Sequence, residues 1–210
     1  YTLATDADFS GTTNGTFRYI GTADYVEIPH VIKGVPVTSY QSMFSGTDIK
    51  GVKSTNTNII SIPFMFFNVV TTDLDLSQLN TSSVTSMDGL FNGITADSID
   101  ISSFDMSNVV SLSEFLMGGI IANDVDMSGI VAPNLQYAYS MLEGAHIGGT
   151  LDISGFTAAS MEDLDSMFND SNLGALNISG FNAPSATSMA YMFNYTVIGE
   201  GLDLSGFNVP

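Results

Sequence analysis

Six side chains able to ligate a cation recur along this sequence at nearly constant spacing: Asp75, Asp100, Asp126, Asp152, Asn177 and Asp203, separated by 25, 26, 26, 25 and 26 residues. Each is the second member of an apolar-polar-apolar-Ser tetrad, from Leu74-Asp75-Leu76-Ser77 to Leu202-Asp203-Leu204-Ser205. In an extended strand that second slot points away from its apolar neighbours. Carboxylates stacked about 4.8 Å apart on parallel strands repel by roughly 1 to 3.5 kcal/mol, depending on the local dielectric. Two arrangements offset the repulsion. One is a shared Ca²⁺ held by Asp75, Asp100, Asp126 and Asp152. The other is hydrogen bonding of each carboxylate to nearby Ser hydroxyls or backbone amides, with solvation and salt screening.

Other candidates for chemistry are sparse. Asp6-Ala7-Asp8-Phe9-Ser10-Gly11 echoes the start of a calcium loop, but its twelfth position is Phe17, where the bidentate carboxylate belongs. His30 and His146 fall in different repeats, so a rod-like array holds them apart and no catalytic dyad or zinc site is expected. The recurring Ser77, Ser102, Ser128, Ser154, Ser179 and Ser205 suit local backbone bonding or a ladder for sugar hydroxyls. Tyr137, Tyr139, Tyr191 and Tyr195 are loop aromatics suited to holding a ligand. No catalytic residues are predicted, and no cofactor beyond the calcium option.

A fixed period of this length marks a solenoid, whose repeats bury their apolar faces only by stacking on one another. Downstream of each tetrad a segment recurs as Val84-Thr85-Ser86-Met87-Asp88-Gly89-Leu90-Phe91, with counterparts starting at Val109, Leu135, Met161 and Ala186. Its apolar residues at i, i+3, i+6 and i+7 (Val84, Met87, Leu90, Phe91 in the first) share one side of a two-turn helix. Ser83, Asn108, Asn134, Ser160 and Ser185 precede these segments as N-caps. Asn92-Gly93, Glu143-Gly144, Asn169 and Asn194 follow them and tolerate the left-handed conformation that closes a helix. The pattern predicts an α/β solenoid: one parallel strand and one short helix per 25–26-residue repeat. An apolar residue between strand and helix (Leu79, Phe104, Ile130, Phe156, Phe181, Phe207) completes the core.

Two degenerate repeats come first, with helix-like segments at Val37 to Phe44 and Ile60 to Phe67; Pro63 favours a turn or irregular coil over a helix in the second. Strand slots at Val26-Glu27-Ile28 and Gly51-Val52-Lys53-Ser54 bring the total to eight, a rod about 35 Å long. Residues 1–25 form an N-terminal cap, with Asn14-Gly15 as a β-hairpin turn. Residues 26–210 form the solenoid of about seven repeats. It is expected to be truncated at its C-terminal end, with an apolar face open to end-to-end self-association.

The chain carries 22 acidic and four basic residues, a net charge of −18, and no Lys or Arg after Lys53. Such a surface repels phosphate backbones and anionic headgroups, so binding to nucleic acid is not expected. No apolar run is long enough to span a membrane, so direct insertion is not expected either. Cysteine is absent, and the stacked core alone holds the fold.

The units Leu74 to Phe91, Leu151 to Phe168 and Leu176 to Phe193 resemble the repeats of BspA-like leucine-rich-repeat surface proteins, including the version found in mycoplasmal lipoproteins. The stretch from Val26-Glu27-Ile28-Pro29 to Gly34-Val35-Pro36-Val37-Thr38-Ser39 resembles the related repeat in which an Ile-Pro strand leads to a Pro-Val-Thr-Ser turn. The resemblance implies a right-handed leucine-rich-repeat-like solenoid on a secreted or cell-surface protein, and it brings no catalytic residues. The expected function is a non-enzymatic extracellular binding module. Part of a bacterial adhesin, it would contact a protein or glycan of another cell or matrix through its exposed faces. The alternative is a structural subunit of an extracellular fibre, surface layer or virion assembled end to end.

Overall fold

The structure is a computed structural model that describes residues 1–11, 16–157 and 159–208, with the backbone alone for Gly201 and Asp203. Among the described residues fifteen short strands follow one another. The first six are β1 (Thr2–Leu3), β2 (Phe9–Gly11), β3 (Phe17–Tyr19), β4 (Tyr25–Glu27), β5 (Val31–Ile32) and β6 (Val35–Pro36). Next come β7 (Gly51–Ser54), β8 (Asp73–Leu79), β9 (Thr95–Ala96), β10 (Ser98–Ile99) and β11 (Ile120–Ile121). The last are β12 (Val125–Asp126), β13 (His146–Asp152), β14 (Asn172–Asn177) and β15 (Val197–Asp203).

The tetrads stack in parallel, in the order β1-β4-β7-β8-β10 and then β12 against β13, β14 and β15. A second parallel column runs through β9, β11 and the first halves of β13, β14 and β15. Further bridges link Ser61, Ser86, Ser111, Tyr137, Asp163 and Ser188 from coil to coil. At the N-terminal end β2 pairs antiparallel with β3, while β1 joins the parallel column on β4. The Asn14-Gly15 turn lies outside the described residues.

The molecule is therefore a parallel β-solenoid of about eight turns, not the α/β solenoid with a helix per repeat that the apolar spacing predicts. Among the described residues the single helical element is a 3₁₀ turn at Asp6–Asp8. The predicted helices are chains of tight turns. In one coil Leu90, Asn92 and Ile94 donate to carbonyls three residues back at 3.0–3.1 Å. The alternate amides of Met87, Gly89, Phe91 and Gly93 reach the next coil at 2.8–3.1 Å. A helix would aim its amides along its own axis and leave no alternating row of them to bond the stack.

Backbone sign enforces the choice. The sixth and tenth positions of each segment have positive φ: Ser42 and Gly46, Phe64 and Asn68, Gly89 and Gly93, Glu114 and Gly118, Ser140 and Gly144, Ser166 and Asp170, Tyr191 and Tyr195. A left-handed residue every four positions excludes an α-helix. Apolar residues at i, i+3, i+6 and i+7 still point inward, because successive three-residue turns reproduce that periodicity.

Two local expectations change as well. The second segment starts one residue earlier, with Ile59, Ile62, Met65 and Phe66 buried and Ile60 exposed. Four of the five supposed N-caps bond the neighbouring coil instead. Asn108 and Asn134 donate to the Ser82 and Ser107 carbonyls, and the Ser160 and Ser185 hydroxyls to those of Pro133 and Ala159, at 2.7–2.9 Å.

Phenylalanines repeat in register through the core. Phe44, Phe66 and Phe91 stack with centroids 6.0 and 5.7 Å apart, and Phe168 lies 5.1 Å from Phe193. A second file, Phe156-Phe181-Phe207, lies between strand and turn segment. Within these files each ring covers the ring of the next coil, which is why a single repeat has no core of its own.

Candidate binding surface

The described tetrad carboxylates bond the backbone just beyond them, at the strand's end in β12 and β13 and within β8 for Asp75. Asp75, Asp100, Asp126 and Asp152 each accept the backbone amide of the Ser two residues on, at 2.9–3.0 Å, and the Asn177 side-chain oxygen does the same for Ser179 at 3.3 Å. This is an Asx turn, in which a short side chain substitutes for a backbone carbonyl. The spacing Asp-x-Ser in the sequence is the signature of that turn.

Hydrogen bonds hold three of these carboxyls below the ordinary value. The Tyr1 hydroxyl lowers Asp75, followed by Ser77. Ser102 lowers Asp100, against burial and the neighbouring Asp75 charge. For Asp152 burial acts upward as the largest influence, but Ser154 and Asn177 together outweigh it. Asp203 takes its backbone place opposite Asn177, and its side chain lies outside the described residues.

Among the described residues no three His, Cys, Asp or Glu side chains converge on a point where a metal ion could sit. The carboxylates of the column follow one another along the stack, each turned to its own Ser. Asp6 accepts the Lys33 amide at 2.6 Å. His30 contacts Thr55 at 3.1 Å, and His146 is exposed in the second strand column, opposite Ile120 and Asn172.

The four tyrosines lie on a different part of the surface, that of the turn segments. Tyr137 and Tyr139 lie in one coil, and Tyr191 and Tyr195 two coils further on, about 9.6 Å along the stack. They are 44, 47, 70 and 80% exposed. Between them runs the coil of Asp163, Asp165 and Asp170; Tyr137 is bridged directly to Asp163. Asp165 accepts the Ser188 hydroxyl and the Ala190 amide. Tyr191 and Tyr195 have φ of 59° and 55°, at the two positions where other coils place Gly, Ser, Asn or Asp more often than an aromatic. Holding an L-residue there costs roughly 1–2 kcal/mol.

A family model described as "Mycoplasma protein of unknown function, DUF285" matches residues 38–146 and 134–209, most of the chain. The chain belongs to this family. No curated protein and no solved structure matches it. The family description names no activity, so the site of this DUF285 member is argued from its own geometry.

Sequence inspection misses two features of the DUF285 repeat. One is the polar ladder on the turn face. There Asp88 accepts the Ser86 and Ser111 hydroxyls and the Ser113 amide, and Asn194, Asn169 and Glu143 form a chain of side-chain bonds at 2.8 Å. The recurrence of Ser, Asp and Asn at fixed positions carried that signal. The other is a file of close backbone contacts at Gly148, Gly174 and Gly199. A Cβ on Gly148 would meet the Ala122 carbonyl at 2.4 Å, one on Gly174 the Gly148 carbonyl at 2.4 Å, and one on Gly199 the Gly174 carbonyl at 2.7 Å.

Proposed function

We propose that this protein is a non-enzymatic binding module, displayed outside the cell, that holds a partner protein on its turn face through Tyr137, Tyr139, Tyr191 and Tyr195. The observation that carries the reading is the placement of two exposed tyrosines in left-handed backbone. The contrast is sharpest at Tyr195, whose position holds Gly46, Asn68, Gly93, Gly118, Gly144 or Asp170 in the other coils, while the position of Tyr191 also takes Ser42, Phe64, Glu114, Ser140 and Ser166. Exposed aromatic area kept against a local conformational cost belongs to recognition.

The carboxylates between the tyrosine pairs set the partner's chemistry. Arg and Lys side chains stack on tyrosine rings and pair with carboxylates, and the chain has no basic residue beyond Lys53 to compete. The partner therefore presents a basic surface. The similarity of the repeats to BspA-like surface proteins supports an extracellular setting.

The test is a peptide array of basic, neutral and acidic sequences beside a glycan array, probed with wild type and with a Tyr137→Ser/Tyr139→Ser/Tyr191→Gly/Tyr195→Gly variant. Saturable binding biased to basic sequences, at least tenfold weaker in a variant with an unchanged melting temperature, is expected. Identical binding by both proteins, selectivity for glycans, or no binding to any probe overturns the reading.

A further inference from the structure

One coil carries apolar side chains on its outside. In residues 59–70 Ile60 and Val70 are exposed, and Pro63, Phe64 and Phe67 are half-buried. The positions of Phe64 and Phe67 hold Ser42 and Ser45 in the coil before, and Gly89 and Asn92 in the coil after. Backbone bonds fix that register, from the Ser42 amide to Pro63 at 3.0 Å, from Gly46 to Phe67 at 2.8 Å and from Phe64 to Asp88 at 2.9 Å. Phe64 and Phe67 meet edge to face with centroids 6.1 Å apart. The Phe64 ring lies over Gly89, in the space a side chain would fill. Large apolar groups gathered on the outside of one coil mark an interaction surface.

Charge singles out the same end of the molecule. Residues 1–70 hold five acidic and four basic side chains, whereas residues 71–210 hold 17 acidic and no basic ones. Two copies of the chain repel each other everywhere except at this near-neutral end. Lys50 and Lys53 are already paired with Asp24 and Glu27. Arg18 pairs with no carboxylate among the described residues; exposed on β3, it donates to the Ser45 carbonyl at 2.8 Å, one coil before Phe67. On the other side of the aromatic pair, two coils on, lies Glu114. It accepts the Asn92 side-chain amide at 3.2 Å through one oxygen, and the described residues donate no hydrogen bond to the other. The turn face therefore carries a stripe with Phe64 and Phe67 at its centre and opposite charges about 5–10 Å to either side.

We infer that this stripe is a dimerisation surface, on which a second copy of the chain packs antiparallel, Phe64 and Phe67 against the same pair and Arg18 of each copy against Glu114 of the other. A two-fold axis crossing the stack at the aromatic pair reverses the stripe, so each charge meets its opposite and one patch serves both copies. Parallel packing would set Arg18 against Arg18 and Glu114 against Glu114. The four rings exclude water at the centre, where edge-to-face and offset contacts are available to them. The stripe is roughly 20 Å long, less than a permanent interface needs, so the dimer exchanges with monomer. It ends before Tyr137, and the inference does not rest on the tyrosines.

Sedimentation equilibrium of the chain from about 10 μM to about 1 mM, at about 0.15 M salt, is the test. A mass rising from monomer towards dimer is expected. Phe64→Gly/Phe67→Ser, with the residue types of Gly89 and Ser45, should stay monomeric with an unchanged melting temperature. Arg18→Glu and Glu114→Arg should each weaken the dimer at least tenfold, and the two together should restore it, because the pair is then reversed and not lost. Tyr191→Gly/Tyr195→Gly should dimerise as wild type does, which separates a failure here from a failure of the tyrosine reading. A monomer at every concentration, a mass beyond dimer, wild-type dimerisation by the Phe variant, or a double charge reversal no tighter than the single ones overturns the inference.

Discussion

Asn177 donates its side-chain amide to the Asp152 carboxylate across 2.9 Å, from one coil to the next. At this step of the acidic column an amide stands beside a carboxylate, so repulsion is replaced by a hydrogen bond. Asn177→Asp removes the donor and adds a charge. The variant should lose roughly 1 to 2 kcal/mol at neutral pH and low salt, and the loss should shrink in high salt. Urea midpoints at two salt concentrations check both parts.

Acid should act in two opposite ways. Asp75, Asp100, Asp105 and Asp152 have carboxyls below the ordinary value of 3.8. Their Asx bonds therefore contribute fully above that value, and the contribution is lost as pH falls through the lower folded-state values. The net charge of −18 acts the other way, since self-repulsion is relieved as pH drops from 7. Melting temperature should rise to a maximum near about pH 4 to 5 and fall below it. A thermal melt at each pH checks the curve; a monotonic decline from pH 7 contradicts it.

Phe168 is fully buried and stacks on Phe193, while Tyr195 projects into solvent from the same region. Phe168→Ala should cost roughly 3 to 5 kcal/mol. Tyr195→Ala should cost much less. Comparable denaturation midpoints for the two variants contradict the inward and outward assignment of the coil.

Calcium provides a direct test of how the acidic column is stabilised. With each described carboxylate turned to its own Ser, Ca²⁺ and NaCl at equal ionic strength should shift the melting temperature alike, by screening. A specific rise with millimolar Ca²⁺ would show an ion bound to the folded state.

The repeat, its strand register and its buried set were legible because tetrads such as Leu151-Asp152-Ile153-Ser154 alternate with period two and return at a fixed interval. The turn segment was misassigned for a physical reason: Met161, Leu164, Met167 and Phe168 point inward equally well from a helix or from linked three-residue turns. The sign of φ decides between them. Gly46, Gly93, Gly118 and Gly144, recurring at the tenth position, were its trace in the sequence, but at Asp170 and Tyr195 the residue type hides it. The Asx role of Asp-x-Ser was visible as one of two options. The absence of a ladder between β10 and β12 was not, because Ile99-Asp100-Ile101-Ser102 and Val125-Asp126-Met127-Ser128 fit the tetrad as well as any other pair.

The central claim is that Tyr191 and Tyr195 occupy left-handed backbone for the sake of a partner. Glycine at both positions relieves roughly 1–2 kcal/mol per residue of conformational cost and adds about 0.5–1 kcal/mol of chain entropy to lose on folding. Calorimetry on Tyr191→Gly/Tyr195→Gly, with thermal melting and titration of a basic peptide selected on the array, measures both consequences. The account predicts a melting temperature equal to or above wild type with affinity at least tenfold weaker. A lowered melting temperature with affinity unchanged would show that the two tyrosines serve the fold and not a partner.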